Sequence, residues 1–316
     1  MKTSLIGMAA LLLCPALSSC HHKDLIYESD LLPEIKVVFD WRNAPEANPE
    51  SMALVLYDAT TGKPMHFMFD NRNGGIIKVP YGQYNGLCIN SDINDWAYIS
   101  HDDDIDDFEV STADATELAA FDIPASQLPA ARDGESERMA ETPSMLWSNR
   151  QDSIVLKAAV QSQTITMYPD EAICHYTVDV TDVENIEYVE GSNVDATISG
   201  MSGSYMHGRN KPSDTHVTMP FVLSVSGADT LHSEFLTFGE SHDSAYSHKL
   251  TVYLYLKDGT RWYNTYDVTD QVSQAPDPRH VHIVVSGLNI PKPMLSGGGF
   301  EPDVQDWNDV TVDINM

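Results

Sequence analysis

The chain has 316 residues, of which 47 are acidic and 18 are lysine or arginine, so its formal net charge at pH 7 is −29. A surface of this charge repels nucleic-acid phosphates and anionic lipid headgroups, and we expect neither as a partner. Hydrophobic residues make up 42% of the sequence, which excludes a disordered chain and predicts a packed core. The length is typical of two domains.

The start of the chain has the three parts of a bacterial lipoprotein signal. These are a charge at Lys2, an apolar run from Leu5 to Leu13, and the lipobox Leu17-Ser18-Ser19-Cys20. A run of about nine apolar residues is too short for a transmembrane helix, which needs about 20. We therefore predict that residues 1–19 are a signal peptide cleaved between Ser19 and Cys20. Diacylglycerol and an N-acyl chain such as palmitate would then anchor Cys20, and an ordinary secretory signal is the alternative.

Residues 20–33 are predicted to form a lipidated N-terminal linker. His21 stands where an Asp retains many lipoproteins in the inner membrane, so we expect the outer membrane. The sequence leaves the periplasmic and external faces open, and the cell surface is the favoured interpretation.

Apolar and polar side chains alternate with period two along the chain, whereas no long stretch has the period of an amphipathic helix. Glycine, proline and asparagine clusters separate the apolar segments, which is typical of a β-sandwich or barrel. We predict an N-terminal β-sandwich domain over residues 34–144, with strands at Ile35–Trp41, Met52–Tyr57, His66–Phe69, Ile76–Val79 and Gln83–Ile89.

The stretch 124–143 is predicted to be an exposed connection, and residues 145–316 a C-terminal β-sandwich domain. Asp258-Gly259 predicts a hairpin between two of its strands. The predicted strands are Ile154–Ala158, Cys174–Val180, Leu250–Leu256, Arg261–Tyr266, Val281–Val285 and Val310–Met316. Cys88 and Cys174 are expected to be buried free thiols, with one disulfide as the alternative.

The acidic run 102–109 contains five Asp in six positions, a source of oxygen ligands for calcium. Asp107 stands where an EF-hand loop needs Gly, so a solvated loop is the favoured interpretation. His280 and His282 lie on one face of a strand and could share a metal, but the sequence supplies no third ligand and favours a solvated face. We therefore expect no metal and no cofactor besides the lipid.

Nucleophile motifs are weak, and we predict a non-enzymatic protein with no catalytic residue. The segment Gly200–Ser204 departs from the hydrolase elbow at its last position, and the side chains of Ser241-His242-Asp243 diverge as sequence neighbours. Aromatic residues could stack on sugars or dock a protein, although sheet packing explains them equally. They are Tyr253, Tyr255, Trp262, Tyr263 and Tyr266.

Short motifs occur towards both ends of the chain. They are Cys20–Leu25, Val38–Trp41, Pro49–Met52, Gly74-Gly75, Val79–Tyr84, Asp267–Val272, His280–Ile283, Leu288–Pro291 and Phe300–Trp307. With these motifs the chain resembles an uncharacterised family of lipoproteins from Gram-negative gut and oral anaerobes. That family is similar to the FimB/Mfa2 anchor proteins of the fimbrillin superfamily, which build type V pili.

The resemblance implies an all-β protein of two tandem transthyretin-like β-sandwich domains, a lipid anchor and no enzymatic site. It also implies fimbrial subunits as partners, which join by strand exchange in this superfamily; host or bacterial surface ligands are the alternative partners. The candidate exchanging strand, after a hinge at Gly297–Gly299, contains Asp309, Val310, Val312, Ile314 and Met316. This strand folding onto its own domain is the alternative, as is a surface glycan-binding lipoprotein for the function.

Overall fold

The computed structural model describes residues 32–93, 97–128, 137–160, 162–241, 246–292 and 308–309. The regular structure of the described residues is almost entirely β, which confirms the predicted all-β class. The tandem, transthyretin-like arrangement stays a prediction. The strands up to residue 128 are β1 Glu34–Phe39, β2 Met52–Asp58, β3 Pro64–Phe69, β4 Gly74–Lys78, β5 Gly82–Asn90, β6 Ala97–Ser100, β7 Glu109–Thr112, β8 Glu117–Leu118 and β9 Ile123–Pro124.

One short helix lies among the remaining strands. Those before residue 213 are β10 Arg138–Met139, β11 Trp147–Leu156, β12 Thr164–Met167, β13 Asp170–Glu171, β14 Cys174–Thr181, β15 Asn193–Ser202, β16 Ser204–Met206 and β17 Lys211–Pro212. After them come β18 His216–Val225, β19 Leu231–Thr237, β20 Lys249–Tyr255, β21 Arg261–Asp267, α1 Thr269–Ser273, β22 His280–Ser286 and β23 Asn308–Asp309. No helix among these residues is long and apolar enough to cross a bilayer.

Two sheets enclose the first core. A three-stranded sheet has the order β12-β1-β4, and a five-stranded sheet has the order β13-β11-β5-β2-β3. The side chains between them include Phe39, Phe69 and Trp147, and the rings of Phe39 and Phe69 meet edge to face with centroids 5.3 Å apart. This layering is sandwich-like, as the alternating pattern predicts.

The five-stranded sheet is apolar on both faces, which explains the uninterrupted run of β2. Leu54 and Leu56 face the first core, whereas Val55 and Tyr57 belong to a second, larger core. That second core is completed by the nine-stranded sheet, ordered β22-β14-β19-β18-β15-β20-β21-β23, with β10 beside β18. The two halves therefore share a hydrophobic core along β2 and β5.

The hydrogen-bonded sheets do not divide at residue 145, where the sequence pattern placed the domain boundary. β11 pairs with β5, and β12 pairs in parallel with β1, so residues 147–167 complete the sheets of the first half. The stretch 124–143 is also more than an exposed connection, because Arg138 and Met139 pair with β18 and Ala140 is fully buried. Partners this far apart in sequence leave no mark in local periodicity.

Both predicted free thiols are confirmed. Cys88 is buried in the first core and Cys174 is half-buried at the start of β14. Burial raises the pKa of the Cys174 thiol to about 11. Neither thiol is poised for reaction at neutral pH, since the thiolate is the reactive form.

Candidate functional site

The predicted anchor residues, Ser19 and Cys20, lie outside the described residues, which begin at Leu32. Cleavage and lipidation there stay predictions. The body of the protein offers three features that could carry a function: the edges of the nine-stranded sheet, a cluster of histidines on its face, and a polar cavity between the halves.

The candidate exchanging strand is described only at its start. Asn308 and Asp309 form β23, whose backbone pairs in parallel with Trp262 and Tyr263 of β21. Outside the described residues lie the other four members of that strand, Val310, Val312, Ile314 and Met316. β23 thus begins on the outer edge of the nine-stranded sheet, where main-chain hydrogen bonds can add a strand of the same or of another chain.

On the opposite edge of the same sheet, a side chain occupies the backbone hydrogen-bonding groups of one residue. Gln271 of α1 makes both backbone hydrogen bonds of Val284 in β22: the amide of Val284 donates to Oε1 at 2.8 Å, and Nε2 donates to the carbonyl of Val284 at 3.0 Å. An added strand would need those two groups, so Gln271 blocks pairing there. Of the two edges, the β21 edge is the one on which the structure places the start of the C-terminal strand.

Four of the five aromatic residues considered for sugar stacking pack within the protein. Tyr253 and Tyr266 are only 2% and 6% exposed. Trp262 packs against the second core, and Tyr263 packs against a small cluster around Leu118. Tyr253 and Tyr266 therefore serve sheet packing, whereas Trp262 and Tyr263 are only partly buried.

Arginines engage the acidic run. Asp106 Oδ1 lies 2.5 Å from Arg150 Nη1, and Asp107 Oδ1 lies 2.5 Å from Arg209 Nη2. Arg150 belongs to β11 and Arg209 to the turn after β16. The acidic run therefore connects the first half of the protein to the second. Gly208 permits the close approach, because a Cβ there would lie 1.6 Å from the carbonyl oxygen of Ile105. Calcium binding by the acidic run stays untested.

Three ligand-type side chains meet beside β14. The parallel register puts His175 of β14 next to His280 of β22, and their rings stack with centroids 5.2 Å apart and planes 8° apart. Glu171 of β13 places its Oε2 atom 3.5 Å from His175 Nε2. One ligand atom from each residue lies within 4.8 Å of the other two. We term Glu171, His175 and His280 the histidine cluster.

The sequence singled out His280 but gave it His282 as a partner, and the structure separates the two. His282 Nε2 lies 2.6 Å from Asp179 Oδ2, and His232 Nδ1 lies 2.7 Å from Asp179 Oδ1. The hydrogen bond with His232 lowers the pKa of Asp179, and the same bond raises the pKa of His232. His175 was missed because its relevance depends on the β14–β22 register; its only sequence signal is its place on the polar face of an alternating strand.

A polar cavity of about 220 Å³ lies between the halves, with Asn43 and Tyr168 from the first half and Arg279 from the second in its wall. His207, also in the wall, is 2% exposed, and neither of its ring nitrogens has a hydrogen-bond partner among the described residues. Burial lowers the pKa of His207 to about 3. Glu171 lines the same cavity, so the cavity adjoins the histidine cluster.

The serine motifs set aside on sequence grounds are not arranged as nucleophiles where the structure describes them. Ser202 is fully buried, and its hydroxyl donates to the carbonyl of Ser204 at 2.7 Å. Ser241 is buried as well, and residues 242 and 243 lie outside the described residues.

The fold and its edges define an all-β protein of stacked sheets, with one sheet edge that accepts a terminal strand and one that is blocked. Residues 19–222 match the model of the family described as Domain of unknown function (DUF5119). Because that match covers more than half of the chain, the chain belongs to this family. No curated protein matches the sequence.

Solved structures share the fold. A candidate adhesin from Bacteroides ovatus is 18% identical with a TM-score of 0.61, and the match covers 94% of this chain and 99% of that one. The fimbrial anchor protein Mfa2 from Porphyromonas gingivalis is 15% identical with a TM-score of 0.50, over 79% of this chain and 90% of that one. Candidate polysaccharide-binding proteins (DUF1812) from Bacteroides thetaiotaomicron are 14% identical with a TM-score of 0.50, over 80% and 90%. The predicted resemblance to fimbrial anchor proteins is thereby confirmed in the fold.

Proposed function

We propose that this chain is a non-enzymatic, outer-membrane lipoprotein, held by lipid at Cys20 and facing the cell surface, that anchors a fimbria-like assembly through β-strand contacts. The observation that carries the proposal is the asymmetry of the nine-stranded sheet. Its β21 edge takes up the start of the C-terminal strand, while Gln271 blocks the β22 edge. The adhesin and fimbrial anchor named among the structures of similar fold support the same role.

The proposed contact follows from the pairing of β21. This strand has seven residues, and the described part of β23 covers Trp262 and Tyr263 alone. The sequence that follows Asp309 alternates apolar and polar residues up to Met316. If this segment pairs with its own β21, it completes the sheet. If it is donated to a fimbrial subunit, its apolar side chains fill a groove of that subunit while the two backbones form hydrogen bonds.

The anchor has a direct test. Cys20→Ala removes the only thiol that the lipobox can present, so we expect the variant to leave the membrane fraction and to take up no radioactive palmitate. Wild-type protein is expected to stay with the outer membrane and to be labelled. A Cys14→Ala variant, altered inside the predicted signal, is the matched control and should behave like wild type. If Cys20→Ala protein stayed membrane-bound and labelled, the anchor assignment would be wrong.

Strand donation is tested by substitutions on the two faces of one strand. Replacing Val310, Val312 and Ile314 with Ser should abolish co-purification of filament subunits from cells, because it removes the side chains that fill the partner's groove. The control replaces Thr311 with Ala, Asp313 with Asn and Asn315 with Ala on the opposite face, and should keep the partner. Circular dichroism checks that both variants are folded.

The assembly role would be disproved by two results together: no filament subunit with the wild-type chain, and unchanged surface filaments in a deletion strain. Glycan binding, the alternative, predicts heat on titration with oligosaccharides. Tyr253 and Tyr266 of its aromatic set are buried, so we expect none.

A further inference from the structure

We propose that Glu171, His175 and His280 bind a divalent transition-metal ion, with Zn²⁺ as the best fit. Two imidazoles and one carboxylate are a common set of three protein ligands for zinc, which takes a fourth ligand from water or from a partner. The ligand atoms already lie within 4.8 Å of one another. Zinc holds its ligands at about 2.0–2.2 Å, so binding must draw these ligand atoms closer together.

The backbone holds the three ligands in place. His175 and His280 are paired residues of adjacent parallel strands, inside a continuous register that runs from His175 to Thr181. Glu171 belongs to β13, which pairs with β11 and precedes β14 by two residues. The three side chains retain enough exposure, at 32%, 38% and 60% for Glu171, His175 and His280, for an ion to enter from solvent.

A second carboxylate orients one of the ligands. Asp277 Oδ2 lies 2.9 Å from Nδ1 of His280, which leaves Nε2 of that ring as the ligand atom. Asp277 is itself fixed, because its Oδ1 accepts the backbone N–H of Arg279 at 2.9 Å. A carboxylate on the far nitrogen of a histidine is the usual support for a zinc ligand, since it sets the ring's orientation and raises its basicity.

The charges around the cluster favour a cation. The chain carries a net charge of −29, and Glu171 and Asp277 both contact the cluster's histidines. The opposing charge is that of Arg279, the residue before His280. The Nη1 atom of Arg279 lies 3.7 Å from Asp170 Oδ2. That carboxylate offsets the guanidinium, so an ion at the cluster does not meet an uncompensated positive charge.

The position of the cluster gives the ion a structural consequence. Glu171 lies in the five-stranded sheet, whereas His175 and His280 lie in the nine-stranded sheet. A bound ion would join the two sheets at the point where the chain passes from one to the other. Because the ion binds only the folded chain, Zn²⁺ should raise the thermal unfolding temperature as well as bind.

The experiment is a titration of ZnCl₂ into the chain from residue 20 carrying Cys20→Ser, followed by calorimetry. We expect one ion per chain. His175→Ala, His280→Ala and Glu171→Gln should each weaken binding by roughly tenfold to a hundredfold or more, and Asp277→Asn by roughly tenfold. Co²⁺ should give the visible absorption bands of a four-coordinate ion with nitrogen and oxygen ligands.

His282→Ala is the matched control, because His282 lies on the same face of β22 two residues further along and contacts Asp179 instead. It should bind Zn²⁺ within about twofold of the parent, and unfolding temperatures without metal should agree among all variants. The proposal fails if the His175→Ala/His280→Ala double variant binds as tightly as the parent. It also fails if only His282→Ala loses the ion, which would move the site to Asp179.

Discussion

Gly74→Ala should lower the free energy of unfolding by about 2–4 kcal/mol. Gly74 opens β4 with a φ of +98°, where side chains are disfavoured, and a Cβ there would lie 2.3 Å from the carbonyl oxygen of Val37. That oxygen belongs to the backbone of β1, so the contact can be relieved only by moving β1 away from β4. The pairing of Val37 with Gly75 and of Val38 with Gly74 would be lost first.

Gly62→Ala is the matched control. Gly62 also has a positive φ, +72°, but a Cβ there would meet nothing within 4 Å. Gly62→Ala should lower the free energy of unfolding by only about 1–2 kcal/mol, the cost of a side chain in a left-handed backbone conformation. Urea unfolding followed by tryptophan fluorescence measures both, since Trp41 and Trp147 lie in the core that β1 covers. Equal losses in the two variants would mean that β1 and β4 do not approach as closely as the structure shows.

Periodicity predicted the strands whose two faces differ. β1, β14 and β22 alternate cleanly and occur where the pattern placed them. β20 also occurs where it was predicted, although it is buried on both faces. β15 was not among the predicted strands, although its sequence alternates polar residues such as Asp195 and Thr197 with apolar ones up to Ile198. Its polar face is buried as deeply as its apolar face. Short edge elements such as β10 were missed because two residues carry no period at all.

The candidate sites could be predicted only in part, because they depend on register. His280 was recognisable from its place on a polar strand face, yet its neighbour His175 lies 105 positions earlier in the numbering and becomes adjacent only through the β14–β22 pairing. The sealing of β22 by Gln271 was equally hidden, since it depends on how a five-residue helix packs after a turn. The terminal alternation indicated the candidate exchanging strand but not the edge that receives it, which depends on the pairing of β23 with β21.

His207→Phe should make the protein markedly less sensitive to acid. The pKa of His207 is about 3 in the folded chain, against about 6.5 in the unfolded chain. The unfolded chain therefore takes up a proton first as the pH falls. Stability that depends on the neutral ring is complete above about pH 6.5 and is lost progressively between there and pH 3.

The size of this effect follows from the burial of the ring. At pH 4.5 the wild-type chain should have lost on the order of 2–3 kcal/mol through His207 alone. Phe fills a similar volume against Phe108, whose ring lies 6.2 Å away, and cannot take up a proton. The measurement is the difference in unfolding free energy between wild type and variant at pH 7.5 and at pH 4.5, in which other titrating groups cancel.

His66→Gln supplies the comparison, because it removes an imidazole that is 47% exposed, whereas His207 is 2% exposed. A His207→Phe variant that lost stability between pH 7.5 and pH 4.5 as steeply as wild type would show that the ring is hydrated in solution. It would then be accessible from the polar cavity, where Arg150 and Arg279 oppose its protonation and Asp170 and Glu171 favour it. If the variant instead keeps its stability between pH 7.5 and pH 4.5, the His207 ring is shielded from the water of the cavity, as its burial indicates.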